Sequence, residues 1–201
     1  MVKDGIPYVL IPVIVAVGFL YFGFWIFAGI FCTLGIFMAY FFRDPRRNVP
    51  PGDDIVVSAA DGRVTRIDRD RENGGKVVSV FLSPLNVHVN RSPIAGRIDR
   101  IDYSVGKKMP ATSDAASIVN ERNALTIVGK NMTVVCTQIA GILARRIVCW
   151  SKAGDNLETG QKFGMIKFGS RTDLLLPSNV QLSVKVGDRV VGGETIIGKL
   201  I

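Results

Sequence analysis

One histidine, one Asp-Gly pair and one Gly-Ser pair are the residues of this chain with the clearest claim to chemistry. His88 is the only histidine among 201 residues. It lies in Phe81-Leu82-Ser83-Pro84-Leu85-Asn86-Val87-His88-Val89-Asn90-Arg91-Ser92-Pro93, between two prolines and among polar side chains. Histidine is the one side chain whose ordinary pKa lies near neutrality, so His88 is the first candidate for moving a proton. A satisfied structural histidine is the plainer alternative. Asp61, in Ser58-Ala59-Ala60-Asp61-Gly62, reads as a turn between strands. A carboxylate can also orient and charge-stabilise an imidazole, as in a Ser-His-Asp set. Ser170 would then be the hydroxyl nucleophile. It follows Gly169 within Phe163–Pro177, between an alternating apolar run and Leu174–Leu176, where a Gly-Ser pair is ordinarily just a turn. Spacing alone does not bring the three together.

Other chemistries have less support. Cys32, Cys136 and Cys149 are an odd count without metal-ligand spacing, so neither a disulfide framework nor a zinc site is expected. Cys136, in Thr133-Val134-Val135-Cys136-Thr137-Gln138-Ile139, reads as a small buried hydrophobe on a strand rather than a nucleophile. No metal is called for.

The elements that must position these residues fall into two parts. A hydrophobic content of 48% is high for a soluble protein, and the excess is concentrated: Gly5 to Phe42 carries no charge. One straight helix of that length would run about 57 Å, well past a hydrocarbon core of about 30 Å. Gly23 divides it into Ile6–Phe22 and Phe24–Phe42, each near the minimum for a span. Tyr8 and Tyr40 lie near the outer ends, and Tyr21 and Trp25 flank Gly23, as interfacial aromatics would in a hairpin. Lys3, Arg43, Arg46 and Arg47 flank the outer ends, which places them on the cytoplasmic side. A two-helix hairpin in the cell membrane is the expectation; a single tilted span or a hairpin that only inserts are the alternatives.

Residues 43–54 read as a linker, since Pro45, Pro50, Pro51 and Gly52 exclude regular structure. Residues 55–201 then form the catalytic domain. Its short Val- and Ile-rich runs predict strands over Ile55–Ser58, Gly62–Asp68, Lys76–Leu82, Gly96–Tyr103, Leu125–Val128, Met132–Ile139 and Leu143–Cys149. Asp114–Glu121 reads as a short helix or a loop. Gly62-Arg63-Val64-Thr65-Arg66-Ile67-Asp68 is echoed by Gly96-Arg97-Ile98-Asp99-Arg100-Ile101-Asp102, which argues for a duplicated β-unit. The strand, Gly-Asp turn, strand, Gly-Glu turn pattern of Gln181–Leu200 resembles lipoyl and biotinyl carrier domains. The fold class expected is mainly β: a duplicated lipoyl/biotinyl-like flattened β-barrel preceded by an α-helical membrane hairpin. Net charge is +8, and because Lys3 and Asp4 cancel, the part after residue 42 carries it. A basic domain tied to an apolar segment suits an anionic phospholipid membrane. Acids are scattered among the bases and no aromatic-basic stripe occurs, so no nucleic acid is expected as a partner.

Several ordered blocks together resemble phosphatidylserine decarboxylase in its short form. They are Phe42-Arg43-Asp44-Pro45-Arg46-Arg47 with Pro50, Ser58–Gly62, Phe81–Pro93, Asn120-Glu121-Arg122-Asn123, and Phe163–Pro177. The resemblance runs from about residue 40 to the end. It implies a zymogen that makes a pyruvoyl group from its own Ser170. A His88–Asp61 pair removes the hydroxyl proton, and the alkoxide attacks the Gly169 carbonyl. The amide becomes an ester, β-elimination leaves dehydroalanine, and hydrolysis of the derived imine releases ammonia. The products are a β chain of residues 1–169 and an α chain of residues 170–201, which stay together. The ketone then forms a Schiff base with the serine amine of phosphatidylserine, carbon dioxide leaves, and His88 returns a proton, giving phosphatidylethanolamine.

Two departures from the long-form pattern bear on this. The cleavage block is Phe168-Gly169-Ser170-Arg171, where long forms have Leu-Gly-Ser-Thr; Gly-Ser-Arg marks the short branch. Arg171 is a candidate contact for a phosphate or carboxylate, with a solvent-exposed arginine as the alternative. Long forms carry two histidines three apart, whereas here the second position is Arg91, a further candidate for substrate binding. An archaetidylserine substrate, with ether-linked tails, has the same headgroup chemistry. Another pyruvoyl decarboxylase acting on a soluble amino acid would need no anchor. A membrane-anchored lipoyl-like adaptor would leave His88 and the Gly169-Ser170 block without a purpose. Exposed sheet edges make a homodimer an expectation.

Overall fold

A computed structural model of the chain describes residues 1–69, 74–106, 109, 119–141, 146–167 and 170–201. The expected helix or loop over Asp114–Glu121 falls mostly outside them, as do Phe168 and Gly169. The chain forms two compact units, Met1–Arg46 and Arg47–Ile201.

In the first unit a short 3-10 turn, Lys3–Gly5, leads into α1 (Ile6–Tyr21), and α2 (Trp25–Phe41) returns beside it. The chain reverses at Gly23, whose φ of 76° is one that glycine adopts without a side-chain clash. The helices pack through small-to-large fits: a Cβ on Gly35 would sit 3.2 Å from Val13, and Phe19 stacks on Phe27 and Phe31. Outward-facing Ile11, Ile14, Ile26 and Ile36 are exposed, as suits a lipid-facing surface. Lys3–Tyr21 is long and apolar enough to cross a membrane, whereas Trp25–Phe41, with 17 residues, is shorter.

The second unit is antiparallel β. Its strands are β1 (Ile55–Val57), β2 (Gly62–Arg69), β3 (Lys76–Leu82), β4 (Val89–Arg91), β5 (Gly96–Ser104), β6 (Arg122–Val128), β7 (Thr133–Ala140), β8 (Ile147–Cys149), β9 (Asn156–Leu157), β10 (Lys162–Ile166), β11 (Ser170–Leu176), β12 (Val180–Leu182), β13 (Arg189–Val190) and β14 (Ile196–Leu200). An eight-stranded sheet runs β13-β2-β3-β11-β7-β6-β5-β9, and two three-stranded sheets run β1-β14-β12 and β4-β10-β8. The core packs between them, with Val56, Ile197 and Phe163 of the small sheets against Val80, Leu125, Cys136 and Leu174 of the large one.

This arrangement is a duplication with a pseudo-two-fold axis between β11 and β7. One repeat is β1–β3 plus β11–β14; the other is the continuous stretch β4–β10. The hydrogen bonds match in detail. Val57 N–H donates to Pro93 O, and Arg91 N–H donates to Ala59 O. The Ser58 hydroxyl donates to Ala60 O, and the Ser92 hydroxyl to Ile94 O. Lys185 N–H donates to the Asp188 carboxylate, and Lys152 N–H to that of Asp155. The echoed Gly62 and Gly96 play one role. A Cβ on Gly62 would lie 2.1 Å from Phe81 O, and one on Gly96 2.5 Å from Val128 O, so neither site admits a side chain. Both strands then bulge two residues later.

Leu125 is fully buried at the centre of this core. Leu125→Ala is expected to cost about 3 kcal/mol through lost burial and the cavity left behind. A thermal midpoint measured in detergent should fall by roughly 6–12 °C.

Candidate functional site

Because one repeat is inserted in the other, the chain crosses between them twice: from β3 to β4 through residues 83–88, and from β10 to β11 through residues 167–169. The end of the first crossing meets the end of β10, where Ile166 N–H donates to His88 O at 3.2 Å. His88 ends the first crossing and Ser170 begins the strand after the second.

The first crossing is built by its polar residues. Asn86 Oδ1 accepts from the Ser83 N–H and hydroxyl at 2.9 and 2.7 Å, closing the turn around Pro84 and Leu85. The carbonyl of Asn86 lies 2.9 Å from His88 Nδ1. A carbonyl only accepts, so Nδ1 carries the hydrogen, and in the neutral ring Nε2 keeps its lone pair. The imidazole is fully buried.

Ser170 is the first residue of β11 and is paired on both sides, with Leu82 of β3 and Ala140 of β7. Ala140 is itself braced: its N–H donates to Glu121 O at 3.0 Å, and its carbonyl accepts from Asn120 Nδ2 at 2.7 Å. This gives the Asn120–Asn123 block a physical role. The Ser170 hydroxyl is buried and has no hydrogen-bond partner among the described residues. Buried hydroxyls are normally paired; the Ser79 hydroxyl is the other serine hydroxyl in this state among the described residues.

Alternate residues of β11 face opposite ways. Ser170, Thr172 and Leu174 face the core, where Thr172 Oγ1 accepts from Asn90 Nδ2 at 3.1 Å. Asn90 Oδ1 accepts from Gln138 Nε2 at 2.8 Å, and Gln138 Oε1 from Asn123 Nδ2 at 3.0 Å. Arg171 and Asp173 face the other way as a buried pair. Arg171 Nη2 donates to Asp173 Oδ2 at 3.0 Å, and Nε lies 2.9 Å from Oδ1, close enough to pair by charge though not aligned for a hydrogen bond. Arg171 therefore does not share the Ser170 face. Arg91 is buried, and its Nη1 donates to Gly160 O at 3.1 Å.

Asp61 is held at the start of β2. Arg47 Nη2 lies 2.9 Å from both carboxylate oxygens, and Gly192 N–H donates to Oδ1 at 2.8 Å. Its hydrogen bonds go to Arg47 and Gly192, and none goes to His88. By the repeat symmetry the position of Asp61 is Ala95 in the other half, so the carboxylate is not something the fold itself requires. Arg47 has no counterpart in the sequence reading beyond a flanking charge; its separation from Asp61 by a proline-rich segment hid the pair.

Burial pushes the Cys136 thiol well above its ordinary pKa and raises Cys149 as well. Neither is a thiolate at neutral pH, which removes them as nucleophiles. Among the described residues no group of three or more His, Cys, Asp or Glu could hold a metal.

Comparison with known proteins identifies the family. Residues 34–198 match the family model described as phosphatidylserine decarboxylase. The chain belongs to that family. A phosphatidylserine decarboxylase proenzyme of Symbiobacterium thermophilum is 44% identical, covering 98% of this chain and 94% of its own length. One from Geotalea uraniireducens is 40% identical over 98% of this chain and 95% of its own length. One from Gluconobacter oxydans is 49% identical over 82% of this chain and 77% of its own length.

The Arg47–Asp61 pair is nearly buried, with side-chain exposures of 8% and 14%. Arg47→Ala is expected to cost about 3 kcal/mol by leaving the carboxylate without its charge partner. Arg47→Lys should recover only part of this, because an ammonium is more strongly hydrated than a guanidinium and costs more to keep nearly buried. Urea unfolding midpoints of the three proteins check the order.

Proposed function

We propose that the protein is a membrane-anchored proenzyme that cuts itself between Gly169 and Ser170 and then decarboxylates the serine headgroup of phosphatidylserine to give phosphatidylethanolamine. The observation that carries this reading is the buried Ser170 hydroxyl, without a hydrogen-bond partner among the described residues, at the start of the strand that follows the second crossing, in a chain of this family.

A pyruvoyl group made from residue 170 fits the residues present. The reacting hydroxyl is buried away from water, and the strand behind it is held on both edges. His88 Nε2 takes the hydroxyl proton. The alkoxide adds to the carbonyl of Gly169, which has no side chain to shield it. The C–N bond breaks, the amine takes a proton, and an ester joins the two segments. Loss of the α-proton of residue 170 expels the Gly169 carboxylate; tautomerisation and water then release ammonia. The ketone so formed supplies the electron sink that decarboxylation of an α-amino acid needs. His88 then returns a proton to the substrate α-carbon. Direct assistance of His88 by Asp61 would require Asp61 to exchange Arg47 for the imidazole.

The short α chain, residues 170–201, would stay with the β chain because β11 is hydrogen-bonded to β3 and β7, β13 to β2, and β14 to β1. The apolar helix pair and basic flanks support a position at the cell membrane, on an anionic phospholipid surface with the catalytic domain on the cytoplasmic face, and exposed sheet edges support a homodimer.

Intact-mass measurement on purified protein should show two chains, with a modified N-terminus at residue 170. A single uncleaved chain of 21.9 kDa would rule the proposal out. Ser170→Ala should remain uncleaved. His88→Ala should stay folded but release no carbon dioxide from serine phospholipid; full activity would remove His88 from the mechanism. Carbon dioxide release from ester-tailed against ether-tailed serine lipids distinguishes phosphatidylserine from archaetidylserine.

A further inference from the structure

The repeat symmetry provides an internal control for the polar residues near Ser170. The paired hydrogen bonds Val57–Pro93 and Arg91–Ala59 equate residue 57 with 91, and so Val56 with Asn90. The close approaches at Gly62 and Gly96 equate Phe81 with Val128. Their strand partners are Arg171 and Thr133. Thr172 therefore corresponds to Val134, and Leu176 to Gln138. The two sets fit each other: Thr172 pairs with Gln138, and one rung beyond Leu175–Val135 brings Leu176 to Val134.

So one end of the core holds Asn90, Gln138 and Thr172, joined by hydrogen bonds of 2.8 and 3.1 Å. The equivalent end holds Val56, Leu176 and Val134, all buried and apolar. The same fold closes its core with three aliphatic side chains at one end and a hydrogen-bonded trio at the other. Folding does not demand the trio. A buried polar group is costly unless satisfied, and a satisfied network fixes one geometry.

That geometry bears on the reacting pair. Asn90 is two residues after His88, and Thr172 is two residues after Ser170, so each partner of the Asn90–Thr172 hydrogen bond sits one pleat from a proposed reacting residue. Moving from Asn90 to His88 runs alongside β10 from Gly164 toward Ile166, toward the crossing that leads into Ser170. Gln138 sets the direction of the chain of donors. Its Nε2 occupies Asn90 Oδ1, which leaves Nδ2 as the group that reaches Thr172. The Asn123 donation to Gln138 Oε1 fixes that orientation in turn.

We propose that Asn90, Gln138 and Thr172 are positioning residues that set His88 against Ser170 for the attack on the Gly169 carbonyl. This rests on the reading of Ser170 as the self-cleaving residue. The trio touches none of the reacting atoms; it holds the strands that carry them.

The test replaces the trio with its own symmetry counterpart: Asn90→Val, Gln138→Leu and Thr172→Val together, in the full chain. No polar partner is left stranded within the trio; outside it Asn123 Nδ2 loses its Gln138 acceptor, so a small loss of stability is expected. The expected result is a folded protein with a thermal midpoint somewhat below wild type and a first-order self-cleavage rate lower by about 100-fold, the scale of a 1 Å misplacement. A merely structural role would move the midpoint and not the rate. Hydroxylamine, which splits an ester at 169–170 but not an amide, should leave the uncleaved variant intact. Cleavage within threefold of wild type overturns the proposal, as does an ester that accumulates and is split, since the trio would then act after the attack. If the triple variant does not fold, Thr172→Val alone removes the acceptor of Asn90 Nδ2 and should slow cleavage at least tenfold; an unchanged rate overturns the proposal. Failure of wild type to cleave sinks the functional reading itself and is a separate outcome.

Discussion

The ladder that holds β11 between β3 and β7 is the interaction on which the rest depends. Each β11 residue from Ser170 to Leu175 is paired on both sides. Buried backbone groups must find partners, so this segment cannot leave the sheet without stranding both neighbours. The covalent bond before Ser170 is therefore not what holds the segment in place. A protein whose strand is fixed by two ladders can lose a peptide bond at that strand's end and keep its fold. A serine at an outer edge would have no such security.

A second constraint is the cost of polarity in a packed interior. The core is apolar along most of its length, and Asn90, Gln138, Thr172, His88 and Ser170 gather at one end of it, all buried. Four of these have partners with described geometry, whereas the Ser170 hydroxyl has none among the described residues. The unmatched group is the one that the proposed chemistry consumes. Asp61 shows the same economy at the edge of the unit. It is paired with Arg47 and a backbone N–H, so a carboxylate can be kept nearly buried without disturbing the core.

Much of the fold was legible in the residue pattern. The uncharged run to Phe42 and the break at Gly23 anticipate the helix pair. Strand boundaries for Gly62–Arg69, Lys76–Leu82 and Gly96–Ser104 follow from the Val- and Ile-rich runs within a residue or two. The Gly-Arg echo points to the duplication, because both glycines are needed where a facing carbonyl leaves no room. The interleaving of the repeats was not legible. Strand order is decided by pairings between residues far apart, such as Ser170 with Leu82, and no local pattern encodes them. The same holds for the site. His88 and Ser170 stand out by residue type, but Asn90 and Gln138 look like ordinary alternation on exposed strands. Only the fold shows that they are buried.

The interleaving also carries a historical meaning. Two copies joined end to end would give strands in the order of one complete repeat followed by the other. Here the β4–β10 copy is uninterrupted and lies inside the other, between β3 and β11. A genetic insertion of one copy into a turn of its twin accounts for that order, and it leaves two seams. His88 stands at the entry seam and Ser170 at the exit seam. On this lineage the Gly169–Ser170 bond is a splice mark, the place where an ancestral domain was reopened, and the proposed self-cleavage there would return the inserted copy to a chain with an end of its own.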